Sequence, residues 1–188
     1  MNKENIYEKW DYYLSIEEDL SNTSRYIEPR GQENVYSFEF AKLLILACIE
    51  TESIFKQLCQ TITNSSPPQD IGKYRDIILN KYPRIIEATV SVRRLGKTIK
   101  PFENWDKQRL NWWDAYQKIK HSREQHFEYA TYLNAVYAIS ALHILILYLS
   151  KATDTRMPTS YGKCISSKYG YAVISAKIGE DLPDFMSD

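Results

Sequence analysis

Residues 135–149 have the sequence AVYAISALHILILYL, the longest apolar run of this 188-residue chain. The run is apolar nearly all round, so other helices must surround it. A membrane-crossing helix needs about twenty apolar residues, and this shorter run also carries His143 in its interior. The run therefore predicts the buried core helix of a helical protein, and we expect no membrane span.

The bulk composition is typical of a single domain with a substantial core. Hydrophobic residues make up 44% of the chain, and lysine plus arginine equals aspartate plus glutamate at 24 each. A formal net charge of zero argues against a general nucleic-acid-coating protein, although a local basic patch is compatible with it. The chain also has fifteen tyrosines and four tryptophans, side chains that are favoured both in cores and at interfaces.

Three cysteines, Cys48, Cys59 and Cys164, give an odd count without a CxxC pair. On one helix, Cys48 and Cys59 would point to nearly the same side about three turns apart, too far for a disulfide, whose Cα atoms lie within ~7 Å. We therefore expect buried free thiols in a reducing cytosol. Residues 1–5 are charged and lack the apolar segment of a signal peptide, which also favours a cytoplasmic protein.

Three amphipathic helices are predicted in the first part of the chain. The first covers about residues 4–25, with apolar side chains at helical spacing: Ile6, Trp10, Tyr13, Leu14 and Leu20. The second covers about residues 36–63, with Ser37 as its N-cap and Phe38 at the start of its inward-facing stripe. Asp70 caps a shorter third helix that ends near Tyr82.

The hydrophobic period then changes to two. Ile86, Ala88, Val90 and Val92 alternate with polar residues, which predicts a half-buried strand, followed by a turn and a short return strand at 98–100. A further helix is predicted over about residues 106–121. Residues 122–125 have the spacing of a capping box, so we expect the last helix to start at Ser122 or shortly after and to run to about residue 151.

These elements together predict a mainly α protein, an antiparallel helical bundle with a small inserted β-hairpin and an irregular C-terminal tail. The bundle covers residues 1–151, and the hairpin insertion lies at about residues 85–101. Residues 152–188 are predicted to form an irregular extension packed on the bundle, with one short strand at 171–174.

Familiar catalytic and metal-binding motifs are absent from the sequence. It has no glycine-rich phosphate loop, no HExxH and no GxSxG. His121 and His126 are five residues apart and miss the three- or four-residue spacing by which two helical residues share a metal ion. His143 is interpreted as a core histidine with satisfied hydrogen bonds. We expect neither a metal ion nor a cofactor.

Polar chemistry is concentrated in residues 112–123, WWDAYQKIKHSR, just before the last helix. The buried face of a helix here carries Trp112, Ala115, Tyr116 and Ile119, which leaves Gln117, Lys118, Lys120, His121 and Arg123 for function. A solvent-facing histidine among cations can act as acid or base on a phosphodiester, with lysine or arginine stabilising the developing charge. The alternative is that His121 braces the junction between two helices while the cations are simply solvated.

A polar residue, three intervening residues and a histidine, placed before a long apolar helix in a small bundle, resemble the motif of the HEPN superfamily. In residues 116–121, YQKIKH, Gln117 takes the polar position and His121 that of the histidine. Tyr116 stands where the family has arginine, and the nearest earlier arginine, Arg109, is twelve residues from His121. The resemblance covers roughly residues 36–150.

This resemblance implies a helical domain of the kind common in prokaryotic toxin–antitoxin and antiviral defence systems. Many such domains are metal-independent ribonucleases that are completed across a dimer interface. Because the arginine is replaced, we expect a non-catalytic HEPN-like homodimer that binds RNA or a partner protein through Gln117, Lys118 and Lys120. The alternative is a metal-independent endoribonuclease with His121 as general acid or base and with Arg123 and Lys118 on the phosphate.

Overall fold

Five α-helices make up most of the chain in the computed structural model, which describes residues 3–155, 174–175 and 183–185. They are α1 (Lys3–Thr23), α2 (Phe38–Thr63), α3 (Ile71–Lys81), α4 (Asn111–His126) and α5 (Tyr132–Ala152). Short 3-10 helices cover Pro83–Glu87, Phe127–Tyr129 and Pro183–Phe185. The predicted mainly α class is confirmed.

The central helix of the fold is α5. Every residue from 138 to 150 is buried. By length and composition alone α5 could cross a membrane, but 83% of its apolar window is buried inside the protein. It is covered chiefly by α2, with α1 and α4 against its remaining faces. The apolar run at residues 135–149 is thus a core helix, as its sequence predicts.

α2 lies along α5 in the same direction. The two helices begin side by side, since the Ser37 amide donates to Ala130 O at 3.3 Å and the Tyr132 amide donates to Val35 O at 2.9 Å. The rings of Phe40 and Tyr132 meet edge-on at this end, with centroids 5.4 Å apart. Because the two helices stay in contact along their buried faces, this shared starting point fixes them as a parallel pair.

α1 and α4 run in the opposite direction to this pair. The C-terminal end of α1 lies beside Ser37, at the start of α2. Trp113, near the start of α4, lies 6.1 Å from Phe55 in the second half of α2, measured between ring centroids. Arg123, near the end of α4, lies over Phe38 at the start of α2. The bundle is therefore mainly antiparallel, with α2 and α5 as its parallel pair.

Side-chain caps begin two helices where the sequence predicts them. Ser37 Oγ accepts from the Phe40 amide at 3.1 Å, and Asp70 Oδ1 accepts from the Lys73 amide at 3.1 Å. The prediction that Phe38 faces inward is wrong, because its side chain is 70% exposed. As the first residue of α2 it points away from α5, and the buried stripe begins at Phe40.

The last helix does not start at Ser122, so that prediction is wrong. Ser122 interrupts α4 with a non-helical backbone (φ −152°, ψ 56°), and α4 resumes and ends at His126. α5 begins only at Tyr132, where Thr131 Oγ1 accepts from the Asn134 amide at 3.1 Å. The capping-box spacing therefore marks a kink within α4, and Thr131 is the cap of α5.

A small antiparallel sheet follows α3 in the chain. Its strands are β1 (Val90–Val92), β2 (Lys97–Ile99) and β3 (Ile174–Ser175), with β1 in the middle. β1 alternates buried, exposed and buried, which confirms the half-buried strand, but residues 86–87 belong to a 3-10 helix that begins at Pro83. Residues 171–173 of the strand predicted in the tail lie outside the described residues.

The described residues near the C-terminus contact α5 and the 3-10 helix that follows α3. Asp184 accepts hydrogen bonds from the Arg84 amide at 3.0 Å and from Tyr148 Oη at 2.8 Å. Arg84 Nη1 also donates to Pro183 O at 3.0 Å. These bonds hold the segment around Asp184 against the bundle.

Cys48 and Cys59 are buried free thiols on α2, as predicted. Burial raises the pKa of the Cys59 thiol to about 11 and that of Cys48 well above its usual value. Neither thiol is therefore activated as a nucleophile at neutral pH. Cys164 lies outside the described residues.

Candidate functional site

α4 carries the five predicted site residues to different sides of the bundle. Gln117 and Lys120 line a groove between α3 and α4. Lys118 and Arg123 lie elsewhere, against aromatic rings. His121 is exposed, and within the described residues its side chain has no hydrogen-bond or ion-pair partner. The structure therefore does not gather the predicted histidine and cations into one site.

Aromatic rings and cations meet where α4 leads towards α5, next to the start of α2. We name this surface the junction patch, and it consists of Tyr36, Phe38, Lys118, Arg123, Phe127 and Tyr129. The centroids of the Phe38 and Phe127 rings are 4.7 Å apart, and Tyr36 meets Phe127 edge-on at 5.4 Å. Lys118 Nζ is 3.6 Å from the centre of the Tyr129 ring, and the Arg123 guanidinium is 5.8 Å from that of Phe38.

The local fold explains why these rings stay at the surface. The kink at Ser122 turns the chain before α4 ends, and Phe127–Tyr129 form a single 3-10 turn. Asn134 Nδ2 donates to Tyr129 O at 2.9 Å, which ties this turn to the first turn of α5. Phe38 is left mostly exposed on the neighbouring helix, so the patch presents an exposed aromatic side chain beside a cation.

The second surface is a groove of about 690 Å³ between α3 and α4, which we name the α3–α4 groove. Its floor consists of the buried aromatic residues Tyr74, Trp105 and Trp113. Its walls carry charged and amide side chains: Glu52, Gln69, Asp70, Arg75, Gln108, Arg109, Asp114, Gln117 and Lys120. Pockets of ~300–1,000 Å³ with a few convergent polar groups are typical of small-ligand sites.

Most charges around the α3–α4 groove have a partner. The ion pairs are Glu52–Lys56 at 2.8 Å, Arg75–Asp76 at 3.1 Å and Arg109–Asp114 at 3.8 Å. Lys120 has no carboxylate partner among the described residues, and its Nζ lies 5.4 Å from the centre of the Tyr116 ring. Burial raises the pKa of Tyr116, while the nearby Lys120 ammonium opposes part of that rise.

His143 is a core histidine, as predicted, but its hydrogen bonds are not satisfied within the described part of the chain. Its ring lies between those of Trp10 and Tyr13, with centroids 5.4 Å and 5.1 Å away. Neither ring nitrogen has a hydrogen-bond partner there. Burial lowers the pKa of the imidazole to about 4, so it is neutral at pH 7. His143 therefore belongs to the packing of α1 on α5.

The sequence pattern indicates the cations of the junction patch but not its rings. Phe38 also fits the apolar stripe of α2, and residues 127–129 also fit a continuous last helix, so neither is marked as a surface group. The α3–α4 groove combines side chains of α2, α3, α4 and the loop before α4. No local spacing could signal it. Tyr36 and Phe38 flank the Ser37 cap. An aromatic residue on each side of a helix cap is the sequence signal that could have indicated an exposed ring.

Comparison with models of protein families, with curated proteins and with solved structures gives no match to this chain. Among the described residues, no group of three or more His, Cys, Asp or Glu side chains could hold a metal ion. The junction patch and the α3–α4 groove are therefore the basis on which function is argued.

Proposed function

We propose that this chain is a non-catalytic, HEPN-like module that binds single-stranded RNA through the junction patch. The observation that carries the proposal is the 70% exposed ring of Phe38 with the Arg123 guanidinium 5.8 Å from its centre. An exposed ring offers a base a stacking surface, and adjacent cations bind the phosphates. The resemblance to HEPN proteins favours a cytoplasmic module of a prokaryotic defence or toxin–antitoxin system.

The chemistry of the junction patch favours unpaired bases over a duplex. Bases within duplex RNA stack on each other, whereas splayed bases of a single strand can stack on aromatic side chains and guanidinium planes. Phe38 and the half-exposed Tyr36 lie next to each other, with Phe127 packed against both. Arg123 supplies a cation beside Phe38, and Lys118 supplies another beside Tyr129, in the same 3-10 turn as Phe127. Since the chain has no net charge, this local arrangement, and not bulk attraction, would select the strand.

Two features of α4 favour binding over cleavage. Tyr116 occupies the position of the motif arginine and is 1% exposed, so it offers no charge to a phosphate. His121 has no partner within the described residues that would orient it, whereas Lys118 and Arg123 lie against rings of the junction patch. A general acid or base needs neighbours that hold it towards the reacting group.

Fluorescence anisotropy with a labelled single-stranded RNA of about twelve nucleotides tests this proposal. Phe38→Ala is expected to weaken binding by about tenfold, because stacking of a base on an aromatic side chain contributes ~1–3 kcal/mol. Arg123→Gln should weaken binding and also reduce the slope of log K against log salt by about 0.7, the contribution of one phosphate contact to a single strand. The same RNA annealed to its complement should bind more weakly.

Tyr26→Ala and Lys107→Gln are the matched controls. Tyr26 is 86% exposed, the Lys107 side chain is 77% exposed, and both lie outside the junction patch. Both variants should bind RNA like the wild type. Equal affinities for the wild type, Phe38→Ala and Arg123→Gln would exclude the junction patch as the RNA-binding surface.

Cleavage is tested on the same samples. RNA is incubated with the wild type and with a His121→Ala variant in EDTA. The EDTA binds metal ions and so inactivates any contaminating metal-dependent nuclease. We expect intact RNA in both reactions. Cleavage by the wild type that disappears in His121→Ala would establish the endoribonuclease and would contradict the non-catalytic proposal.

A further inference from the structure

The α3–α4 groove is separate from the junction patch and takes no part in the RNA binding proposed above. Glu52 and Asp70 bring negative charge to it, while Lys120 and Arg109 bring positive charge from α4 and the loop before it. Glu52 and Lys120 are both close enough to Tyr116 to act on the pKa of its hydroxyl, in opposite directions. Within the described residues they form no ion pair with each other. Glu52 pairs instead with Lys56 on α2, and Lys120 lies near Tyr116 on α4, so the two groove charges belong to different helices.

Tyr74 adds a buried polar group without a partner. Its side chain is 1% exposed, and its hydroxyl forms no hydrogen bond to any described residue. Burial raises the pKa of this hydroxyl to about 12, and electrostatic interactions with Glu52, Cys59 and Asp70 add to the rise. A buried hydroxyl without a hydrogen bond destabilises a fold unless water or a bound molecule supplies the partner.

We propose that the α3–α4 groove binds a small zwitterion, in which a free ammonium and a free carboxylate flank an apolar side chain. Apolar amino acids and short apolar peptides share this chemistry. The ammonium lies at Glu52, Asp70 and the Tyr74 hydroxyl, whose oxygen can accept a hydrogen bond. The carboxylate lies at Lys120, with the Gln117 amide beside it as a second donor. The apolar side chain packs on the aromatic floor of the groove.

The balance of charge favours a zwitterion over a simple anion or cation. Asp70 already accepts the Lys73 amide at the start of α3, so the positive end of that helix has its anion. A bound cation alone would leave Lys120 without a counter-charge, and a bound anion alone would lie against the carboxylates near Tyr74. A ligand with both charges satisfies both sides, and a groove of about 690 Å³ accommodates a molecule of this size.

Titration calorimetry with L-leucine and with leucyl-leucine tests the proposal on the whole chain. Tryptophan fluorescence is a second readout, because Trp105 and Trp113 line the groove. We expect saturable binding of at least one of these zwitterions. N-acetyl-leucinamide keeps the side chain but lacks both charges, so it should bind about tenfold more weakly or not at all. Tighter binding of leucine identifies an amino-acid site, and tighter binding of the dipeptide identifies a peptide site.

Three variants examine the individual contacts. Tyr74→Phe removes only the hydroxyl and should weaken binding about fivefold, while Glu52→Gln and Lys120→Gln should each weaken it about tenfold. Glu39→Gln is the control, because it removes an exposed carboxylate elsewhere on α2 and should leave binding unchanged. Thermal unfolding of Tyr74→Phe checks that it is folded.

The proposal is overturned if neither zwitterion binds up to about 10 mM. It is also overturned if N-acetyl-leucinamide binds as tightly as the zwitterions, since the charges would then have no role. Phe38→Ala, which impairs the junction patch, should bind leucine normally. The outcome for the groove is therefore independent of the outcome for RNA binding.

Discussion

His143 lies in the core, where burial lowers the pKa of its imidazole. Trp10 and Tyr13 enclose its ring, and within the described residues neither ring nitrogen nor Trp10 Nε1 has a hydrogen-bond partner. Glu17, one turn beyond Tyr13 on α1, is also buried. The pKa of Tyr13 is raised mainly by burial, and the nearby Glu17 raises it further. Polar groups are thus concentrated where α1 packs on α5, a place where an added charge destabilises the fold.

The stability of the protein should therefore fall in mild acid. The pKa of His143 is about 4 in the folded protein and about 6.5 in an unfolded chain. Between these two pH values the imidazole is protonated in the unfolded state and neutral in the folded state. The contribution of His143 to stability is complete above pH ~6.5 and is lost as the pH falls towards ~4, by roughly 3 kcal/mol in all. Urea unfolding at about pH 7 and about pH 5 measures the decrease.

His143→Phe is the test variant, because it keeps an aromatic ring between Trp10 and Tyr13 but cannot titrate. Its free energy of unfolding should change less between the two pH values than that of the wild type. His126→Gln removes a half-buried histidine of α4 and should keep the wild-type pH dependence. An undiminished pH dependence in His143→Phe would assign the effect to another group.

Two phenylalanines at the start of α2 should differ strongly in their contribution to stability. Phe40 is completely buried, whereas Phe38 is 70% exposed. Phe40→Ala should destabilise the protein by ~3–5 kcal/mol through lost burial and a cavity. Phe38→Ala should change the free energy of unfolding by about 0.5 kcal/mol or less. Denaturant unfolding of both variants measures the difference, and equal losses would place Phe38 in the core and remove it from the junction patch.

The start of α5 should depend on Thr131 and not on Ser122. Thr131→Ala removes the side-chain acceptor of the Asn134 amide and should cost ~1 kcal/mol. Ser122→Ala should stay within about 0.5 kcal/mol, because Ser122 sits at a kink and its side chain makes no hydrogen bond within the described residues. Thermal unfolding compares the two variants, and similar losses would make Ser122 a second cap.

The sequence predicts the helices themselves better than the place where the chain turns between them. Apolar spacing indicates α1, α2 and α3, and short polar side chains before apolar runs identify the caps at Ser37 and Asp70. The helical pattern also continues across Ser122, so it cannot show where α5 begins. A tertiary contact decides that point, since Thr131 pairs with Tyr36 in an isolated β-bridge.

The candidate site is only partly predictable for a related reason. Lys118 and Arg123 stand out as cations beside a buried helical face, but the rings that they contact come from residues 36–38 and 127–129. Gln117 and Lys120 are both identified as polar positions on α4, yet the opposite side of their groove belongs to α2 and α3. A single sequence shows which side chains lie outside the buried face of a helix. The packing of the whole chain determines which residues those side chains contact.

Two apolar side chains of α2 that are not fully buried, Ile45 and Ile49, form a short stripe. Ile49 is 49% exposed, and Ile45, one turn before it, is half-buried. The opposite face of α2 is covered by α5. Apolar side chains that line one exposed helix can meet the same surface of a second copy across a two-fold axis. We propose that the expected homodimer forms through this stripe.

Light scattering at high protein concentration should give about twice the 22.1 kDa mass of one chain. Ile49→Asp places a charge within the proposed interface, where burial without a partner is unfavourable, and should reduce the mass to that of one chain. The variant should remain folded, because the Ile49 side chain is half exposed in the monomer. Asn80→Asp adds the same charge at an exposed position of α3 and should stay dimeric. A single-chain mass for the wild type at every concentration would contradict the dimer, and a dimeric Ile49→Asp would exclude this face of α2 as its interface.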